Sequence, residues 1–198
     1  MSNRVLICGD SFAADWTVKY KGHGWPNLLS QSFEITNLAR AGVCEYKIYN
    51  QLLSVDPSAF DVIIISHTSP FRLYVKEHPI HSHDSLHGQC DLIYSDLKDA
   101  VDTYKHIQPI VDYFEHYFDL DYAKFVHSLI CEKIENYCQT FLHKVIHLVT
   151  FKDQYEFKNA LSFVQLFETN RGRMNHFDDY GNQQVFETIA KTIKEKLK

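Results

Sequence analysis

Glycine and proline are scarce in this chain, at 7 and 5 of 198 residues, and no stretch rich in them or in serine divides it. A linker between domains is therefore not expected, and the length suffices to bury one sizeable core, so residues 1–198 read as a single domain. Long hydrophobic runs are also missing; none approaches the ~20 apolar residues of a membrane-spanning helix. There is no basic run, and with a formal net charge of −5 the chain is not expected to bind nucleic acid or anionic lipid non-specifically. The five cysteines, Cys8, Cys44, Cys90, Cys131 and Cys138, form an odd set without paired metal spacing. That fits free thiols in a reducing compartment and gives no reason to expect a metal or other cofactor. Met1-Ser2-Asn3-Arg4 runs straight into Val5-Leu6-Ile7-Cys8 with no longer apolar region or small-residue cleavage site behind it. The start is thus expected to belong to the fold rather than to an export signal, and a cytoplasmic location follows as an expectation.

What is present is apolar substance: 45% hydrophobic and 14% aromatic residues, enough to make disorder untenable. Arg4 to Cys8 reads as a buried strand followed by a turn at Gly9-Asp10-Ser11. Pro26 is pre-organised for a first helical turn, and Trp25, Leu28 and Leu29 share one face of the helix it starts. Glu34 to Leu38 reads as a second strand, and Ile48, Leu52 and Leu53 mark a helix that stops before Asp56-Pro57. Asp61-Val62-Ile63-Ile64-Ile65-Ser66 is the clearest strand, its unbroken β-branched run placing it centrally in a parallel sheet covered on both faces. From Asp91 to about Leu142 the pattern is helical: Leu97, Val101 and Tyr104 share a face, and a longer series runs through Phe125, Leu129, Ile134, Tyr137 and Phe141. Lys144 to Thr150 reads as a fourth strand, Leu161 to Phe167 as a fifth, and Val185, Ile189, Ile193 and Leu197 define a closing amphipathic helix. Alternating strands and helices predict an α/β layer architecture, whose ligands bind at the carboxyl ends of the strands near the reversal of strand order.

Four elements fall on those loops: Gly9-Asp10-Ser11-Phe12, Asn37-Leu38-Ala39-Arg40-Ala41-Gly42, His67-Thr68-Ser69-Pro70-Phe71-Arg72, and Asn175-His176-Phe177-Asp178-Asp179-Tyr180-Gly181. A serine hydroxyl is a weak nucleophile unless a base takes its proton, and His176 is the natural supplier for Ser11. The oxyanion of acyl transfer needs fixed donors, for which the N–H groups of Ser11 and Gly42 and a side chain of the third loop are candidates.

The order of these elements, from Val5 to Ile193, resembles the SGNH/GDSL hydrolase family. The resemblance rests on the strand leading into Gly9-Asp10-Ser11, the Asn37-to-Gly42 segment, the Asp61-to-Ser69 strand and loop, His176 with Gly181 five residues on, and Trp25-Pro26 with Leu28-Leu29. It implies a three-layer, flavodoxin-like sandwich with a mostly parallel five-stranded sheet. It also implies Ser11 as nucleophile, His176 as base, and Ser11, Gly42 and Ser69 as the oxyanion hole.

Two departures stand out. The family's third block reads Gly-x-Asn-Asp, whereas Ser69 stands here where the oxyanion-hole asparagine would be, and a hydroxyl rotates more freely than an amide. The last block is Asp-x-x-His, yet Arg173 occupies the position three before His176. The orienting acid is replaced by another carboxylate such as Asp178 or Asp179, or by a backbone carbonyl, or the enzyme is impaired; losing that acid in a serine-protease triad costs about 10⁴ in rate.

The remaining candidates have plain alternatives. Asp10 reads as a turn former bonding nearby backbone. Arg40 and Arg72 could grip an anionic substrate group or make surface ion pairs. His78, His81, His83 and His87 with Asp84 could bind a transition metal, but the spacing matches no strong zinc pattern and a solvated loop beside the site is the better reading. Cys8 and Cys44 read as buried, inert thiols. The aromatics Tyr113, Phe114, Tyr117 and Phe118 read as packing, or in part as a sugar-stacking wall or dimer surface. The functional expectation is ester hydrolysis through an acyl-enzyme on a short acyl or acetylated-sugar ester; the alternatives are a carbohydrate O-acetyltransferase and a non-catalytic module that keeps the fold.

Overall fold

The computed structural model describes residues 3–19, 24–152, 155–172 and 176–198. Arg173 and Asn175, both part of the last motif, lie outside the described residues, as do Met1 and Ser2. Five strands, β1 (Arg4–Gly9), β2 (Glu34–Asn37), β3 (Val62–Ser66), β6 (Val145–Val149) and β7 (Leu161–Ser162), form an all-parallel sheet in the order β2-β1-β3-β6-β7. β3 lies at its middle and is buried at every position, which is why its sequence is β-branched without alternation.

Alternation along the central strands divides the core between the two faces. Val5, Ile7, Val62, Ile64, Ile146 and Leu148 point to one face, where they meet Trp25 and Leu29 of α1 (Trp25–Leu29) and Val185, Ile189 and Ile193 of α7 (Asp179–Lys196). Leu6, Cys8, Ile63, Ile65 and Val145 point the other way, against Ile48 and Leu52 of α2 (Glu45–Leu53) and Ile134 and Cys138 of α5 (Leu120–Cys138). The result is a three-layer α/β sandwich. Among the described residues, no helix is long and apolar enough to cross a membrane.

Three elements differ from the sequence expectation. Only Leu161–Ser162 of the run to Phe167 is strand, because β6 ends at Val149 and offers β7 just Leu148 and Val149 to pair with. The chain then turns into α6 (Val164–Thr169). α5 buries His127, Cys131, Ile134 and Cys138, whereas Phe125 and Leu129 are 60% and 48% exposed, so the helix faces inward with a stripe that is mostly polar or thiol. Between β3 and α5 an antiparallel pair, β4 (Arg72–Leu73) with β5 (Leu92–Ile93), anchors a satellite layer of α3 (Tyr94–Ala100) and α4 (Gln108–His116). Leu97 is buried there, but Tyr104 lies beyond α3 and is 41% exposed.

The sheet positions the site through the end of β1. Strand order reverses between β1 and β3, leaving a crevice above their carboxyl ends. Gly9 closes β1 opposite Ser66, and both its backbone groups are held by the Gln51 side chain, at 2.7 Å from its N–H and 3.1 Å to its carbonyl. A Cβ on Gly9 would lie 2.7 Å from Ser66 Cβ and 2.9 Å from Ser66 O. Gly9→Ala is therefore expected to destabilise the protein by about 1–3 kcal/mol through overpacking against backbone. Urea denaturation checks this; an unchanged midpoint would mean the two strand ends separate freely.

Candidate active site

Ser11 follows β1 in a turn that two tryptophans tie down. Trp16 Nε1 donates to the Ser11 carbonyl at 2.9 Å and Trp25 Nε1 to the Phe12 carbonyl at 2.6 Å. Asp10 completes the turn: Oδ1 accepts the Phe12 N–H at 2.9 Å, while Oδ2 accepts from Arg72 Nη2 at 2.9 Å. Asp10 is fully buried and its partner nearly so, making an ion pair inside the fold directly beneath the nucleophile turn. Burial pushes the Asp10 carboxyl up from its ordinary range, and Arg72 and the Phe12 N–H oppose that rise.

His176 comes from the other end of the chain. Its backbone is left-handed, with φ 59°, a conformation a β-carbon-bearing residue holds only when its surroundings impose it. Here Gly172 N donates to the His176 carbonyl at 3.1 Å, Arg171 bridges to Phe177, and Asp178 N bonds Asn170 O at 2.9 Å, so two short segments pinch the histidine outward. The ring packs between Phe12, at a centroid distance of 4.6 Å, and Trp16, edge-on at 5.6 Å. Phe12 is itself fixed by edge contacts with Phe151, Phe167 and Phe177.

The outcome is a contact across 165 positions of sequence: His176 Nε2 lies 2.8 Å from Ser11 Oγ. With the ring proton on Nδ1, Nε2 accepts the serine proton, the geometry of base-assisted attack. Burial lowers the His176 pKa below its ordinary value, with Asp10 pulling it back up, so the imidazole is mainly neutral at pH 7 and able to accept.

Neither expected substitute acid touches this ring. Asp178 Oδ1 accepts the Gly181 N–H at 2.7 Å as the cap of α7, and Asp179 is exposed in that helix's first turn. Among the described residues no carboxylate makes an ion pair with His176; Asp10 acts on it only through space. Among the described residues, what holds the ring's orientation is the Phe12–Trp16 clamp and the pinched backbone.

Gly42 has φ 75°, and a Cβ there would lie 2.4 Å from Cys90 Cβ, so only glycine fits the turn. Asp91 holds this turn in place. Its N–H donates to the Gly42 carbonyl at 3.0 Å, Oδ2 accepts the Cys44 N–H at 2.6 Å, and Oδ1 meets Lys47 Nζ at 2.8 Å and the Val75 N–H at 2.9 Å. Ser69 is half-buried, and its Oγ accepts a long 3.4 Å bond from Phe71 N. Arg72 is spent internally, on Asp10 and on the Val43 carbonyl at 2.7 Å, while Arg40 is exposed with Nη1 bonded to the Ala39 carbonyl at 2.9 Å. Cys8 and Cys44 are buried, which pushes both thiols up to about 12.

The histidine-rich loop is held by its own turns. His78 Nδ1 accepts the N–H groups of Ile80 and His81, and His87 pairs with Asp84 at 3.2 Å. His87 reaches the site through an edge contact of 6.1 Å with Trp16. Beyond Ser69 and Arg72 opens a cavity of about 220 Å³ lined by Tyr74, Tyr113, Tyr117, Phe118 and Tyr122. Its lining includes neither Ser11 nor His176.

Trp16 and Asp91 are not legible as site components in the sequence, and the pairing of Asp10 with Arg72, though both residues stand in candidate loops, spans 62 positions. No protein-family model matches the chain, and no curated protein sequence matches it.

Removing one member of the buried Asp10–Arg72 pair strands the other charge. Arg72→Met is expected to cost about 3 kcal/mol of stability, and Asp10→Asn with Arg72→Met together less than the sum of the single changes. A double-mutant cycle by urea denaturation measures the coupling; additive effects would show that the pair contributes nothing jointly.

Proposed function

We propose that the protein is a serine-dependent acyl-ester hydrolase of the SGNH/GDSL type. What carries this reading is the 2.8 Å contact between Ser11 Oγ and His176 Nε2, at the end of the first strand of a flavodoxin-like sheet. Ser11 attacks the ester carbonyl while His176 takes its proton, and His176 returns that proton to the leaving alkoxide. Water, deprotonated by the same imidazole, then attacks the acyl carbonyl, and as the bond to Ser11 Oγ breaks His176 returns the proton to that oxygen. The Ser11 and Gly42 N–H groups and the Ser69 hydroxyl stabilise the oxyanion.

The cavity beside Ser69 supports an acetylated-sugar substrate. Its tyrosines stay unusually open, with Tyr117 77% and Tyr122 68% exposed, and flat rings bearing hydroxyls suit the apolar faces and rims of sugars. The same wall suits a sugar acceptor, so transfer to a carbohydrate hydroxyl is the second reading. A third, a binding module without turnover, draws on the lack of a carboxylate at His176 among the described residues.

Turnover of p-nitrophenyl acetate and of an acetylated monosaccharide tests these readings. The wild type is expected to turn over both, and Ser11→Ala neither. The acid limb of kcat/KM should have its midpoint below 6.5, because the base works only when neutral and its pKa is lowered: activity is complete above that midpoint and falls as pH drops through it. No turnover by the wild type would favour the binding module, and acetylation of an added sugar instead of free acetate would favour the transferase.

Tyr117→Ala is expected to raise KM for the sugar ester severalfold while leaving p-nitrophenyl acetate turnover unchanged. Equal loss on both substrates would remove the tyrosine wall from substrate binding.

A further inference from the structure

On the α2–α5 side of the sheet lies a second cluster of reactive groups that the acyl-transfer chemistry does not use. Glu45 opens α2, His67 follows β3, and Cys131 sits on the inner stripe of α5; all three are buried. Each offers one ligand atom, and these atoms lie within 4.8 Å of one another. His127 precedes Cys131 by one helical turn on the same face, is only 6% exposed, and its Nε2 has no hydrogen-bond partner among the described residues.

We propose that Glu45, His67, His127 and Cys131 form a binding site for a divalent transition ion of the zinc type. A carboxylate, a thiolate and two neutral imidazoles sum to −2, so the occupied site is neutral overall, the condition under which ions are tolerated in a buried place. Nothing is oxidised or reduced: the Cys131 thiol releases its proton to solvent, and Glu45 binds as the carboxylate, releasing its own where it carries one.

The surroundings fit such an ion. Among the described residues Glu45 has no lysine or arginine partner, only His67 Nδ1 at 2.6 Å and the Thr68 N–H at 3.1 Å. Nearby Arg72 is committed to Asp10 and the Val43 carbonyl. Burial pushes Glu45 up to about 7. That cost falls when a cation takes the place of the missing partner. With His67 bound through Nδ1, its Nε2–H donates to His147 Nδ1 at 2.9 Å, the outer bond that commonly fixes a ligating histidine. Phe157 stacks on the same ring at 3.7 Å. A tetrahedral zinc keeps ligand atoms about 3.3–3.8 Å apart, so the Glu45–His67 hydrogen bond of 2.6 Å opens, while Cys131, within 4.8 Å of both, and His127, outside that group, are drawn in. Glu45 and His127 both line the tyrosine-walled cavity, which gives the ion a way in.

The test titrates the full chain with Co²⁺ after chelator treatment under reducing conditions. One equivalent is expected to give the intense visible bands of a tetrahedral ion and a near-ultraviolet thiolate charge-transfer band, both displaced by Zn²⁺. Cys131→Ser should abolish the charge-transfer band, and His127→Ala should weaken binding at least about tenfold. Ser11→Ala, which removes the proposed nucleophile, should bind as the wild type does, keeping this outcome separate from the esterase reading. X-ray absorption of the zinc-loaded wild type, which depends on no variant folding, should show one sulfur and three nitrogen or oxygen neighbours. Absence of stoichiometric binding, a sulfur-free zinc shell, or binding lost in His78→Ala but not in His127→Ala would overturn the proposal.

Discussion

One contact gives the molecule its chemical meaning: a hydroxyl at the end of the first strand and an imidazole ahead of the last helix held 2.8 Å apart. Neither neighbour in sequence nor flexibility creates it. A parallel sheet whose order reverses between β1 and β3 leaves an open crevice at that reversal, and α7, packed with α1 on the face of β1 and β3, returns the C-terminal segment to its rim. Trp25 ties the two ends together, since its backbone N–H donates to Asn182 Oδ1 at 3.0 Å while its indole donates to the Phe12 carbonyl. The helix that follows the histidine and the turn that carries the serine are therefore one packed unit.

The second constraint is electrostatic. A carboxylate and a guanidinium are buried directly under the nucleophile turn, with the carboxylate also fixing the turn's own N–H. Arg72 is committed to Asp10 and the Val43 carbonyl rather than held out toward an anionic substrate. Asp10 supplies a negative charge that acts on His176 from a distance, partly offsetting what burial takes from its basicity. Packing between Phe12 and Trp16 then supplies the orientation that an acid would give by hydrogen bonding.

How much of this could be read from residues varies with the range of the interaction. The β-branched run at Val62–Ile65, the proline start of α1 and the 3–4 spacing of α7 are local signals, and their elements are found where those signals stand. Ser11, Gly42, Ser69 and His176 could be named because each sits at a strand end or before a helix, where this architecture gathers chemistry. The inward face of α5 was misread because Phe125 and Leu129 look like core while His127 and Cys131 do not; only the partners across the layer, Glu45 and His67, make that polar stripe buriable. β7 was overextended since a strand's length is set by its neighbour, and β6 stops at Val149. Asp91 and Trp16 gave no local sign: Asp91 bonds the Cys44 N–H and Lys47, and Trp16 bonds the Ser11 carbonyl and packs on His176.

The central claim is that the imidazole activates this one hydroxyl. A fluorophosphonate captures activated serines covalently, and intact-protein mass spectrometry counts the adducts. The account predicts a single adduct mapped to Ser11 in the native wild type, its formation slowed by orders of magnitude in His176→Ala and absent after unfolding in urea. An adduct that forms equally fast without the imidazole, or that maps to another residue, would contradict it.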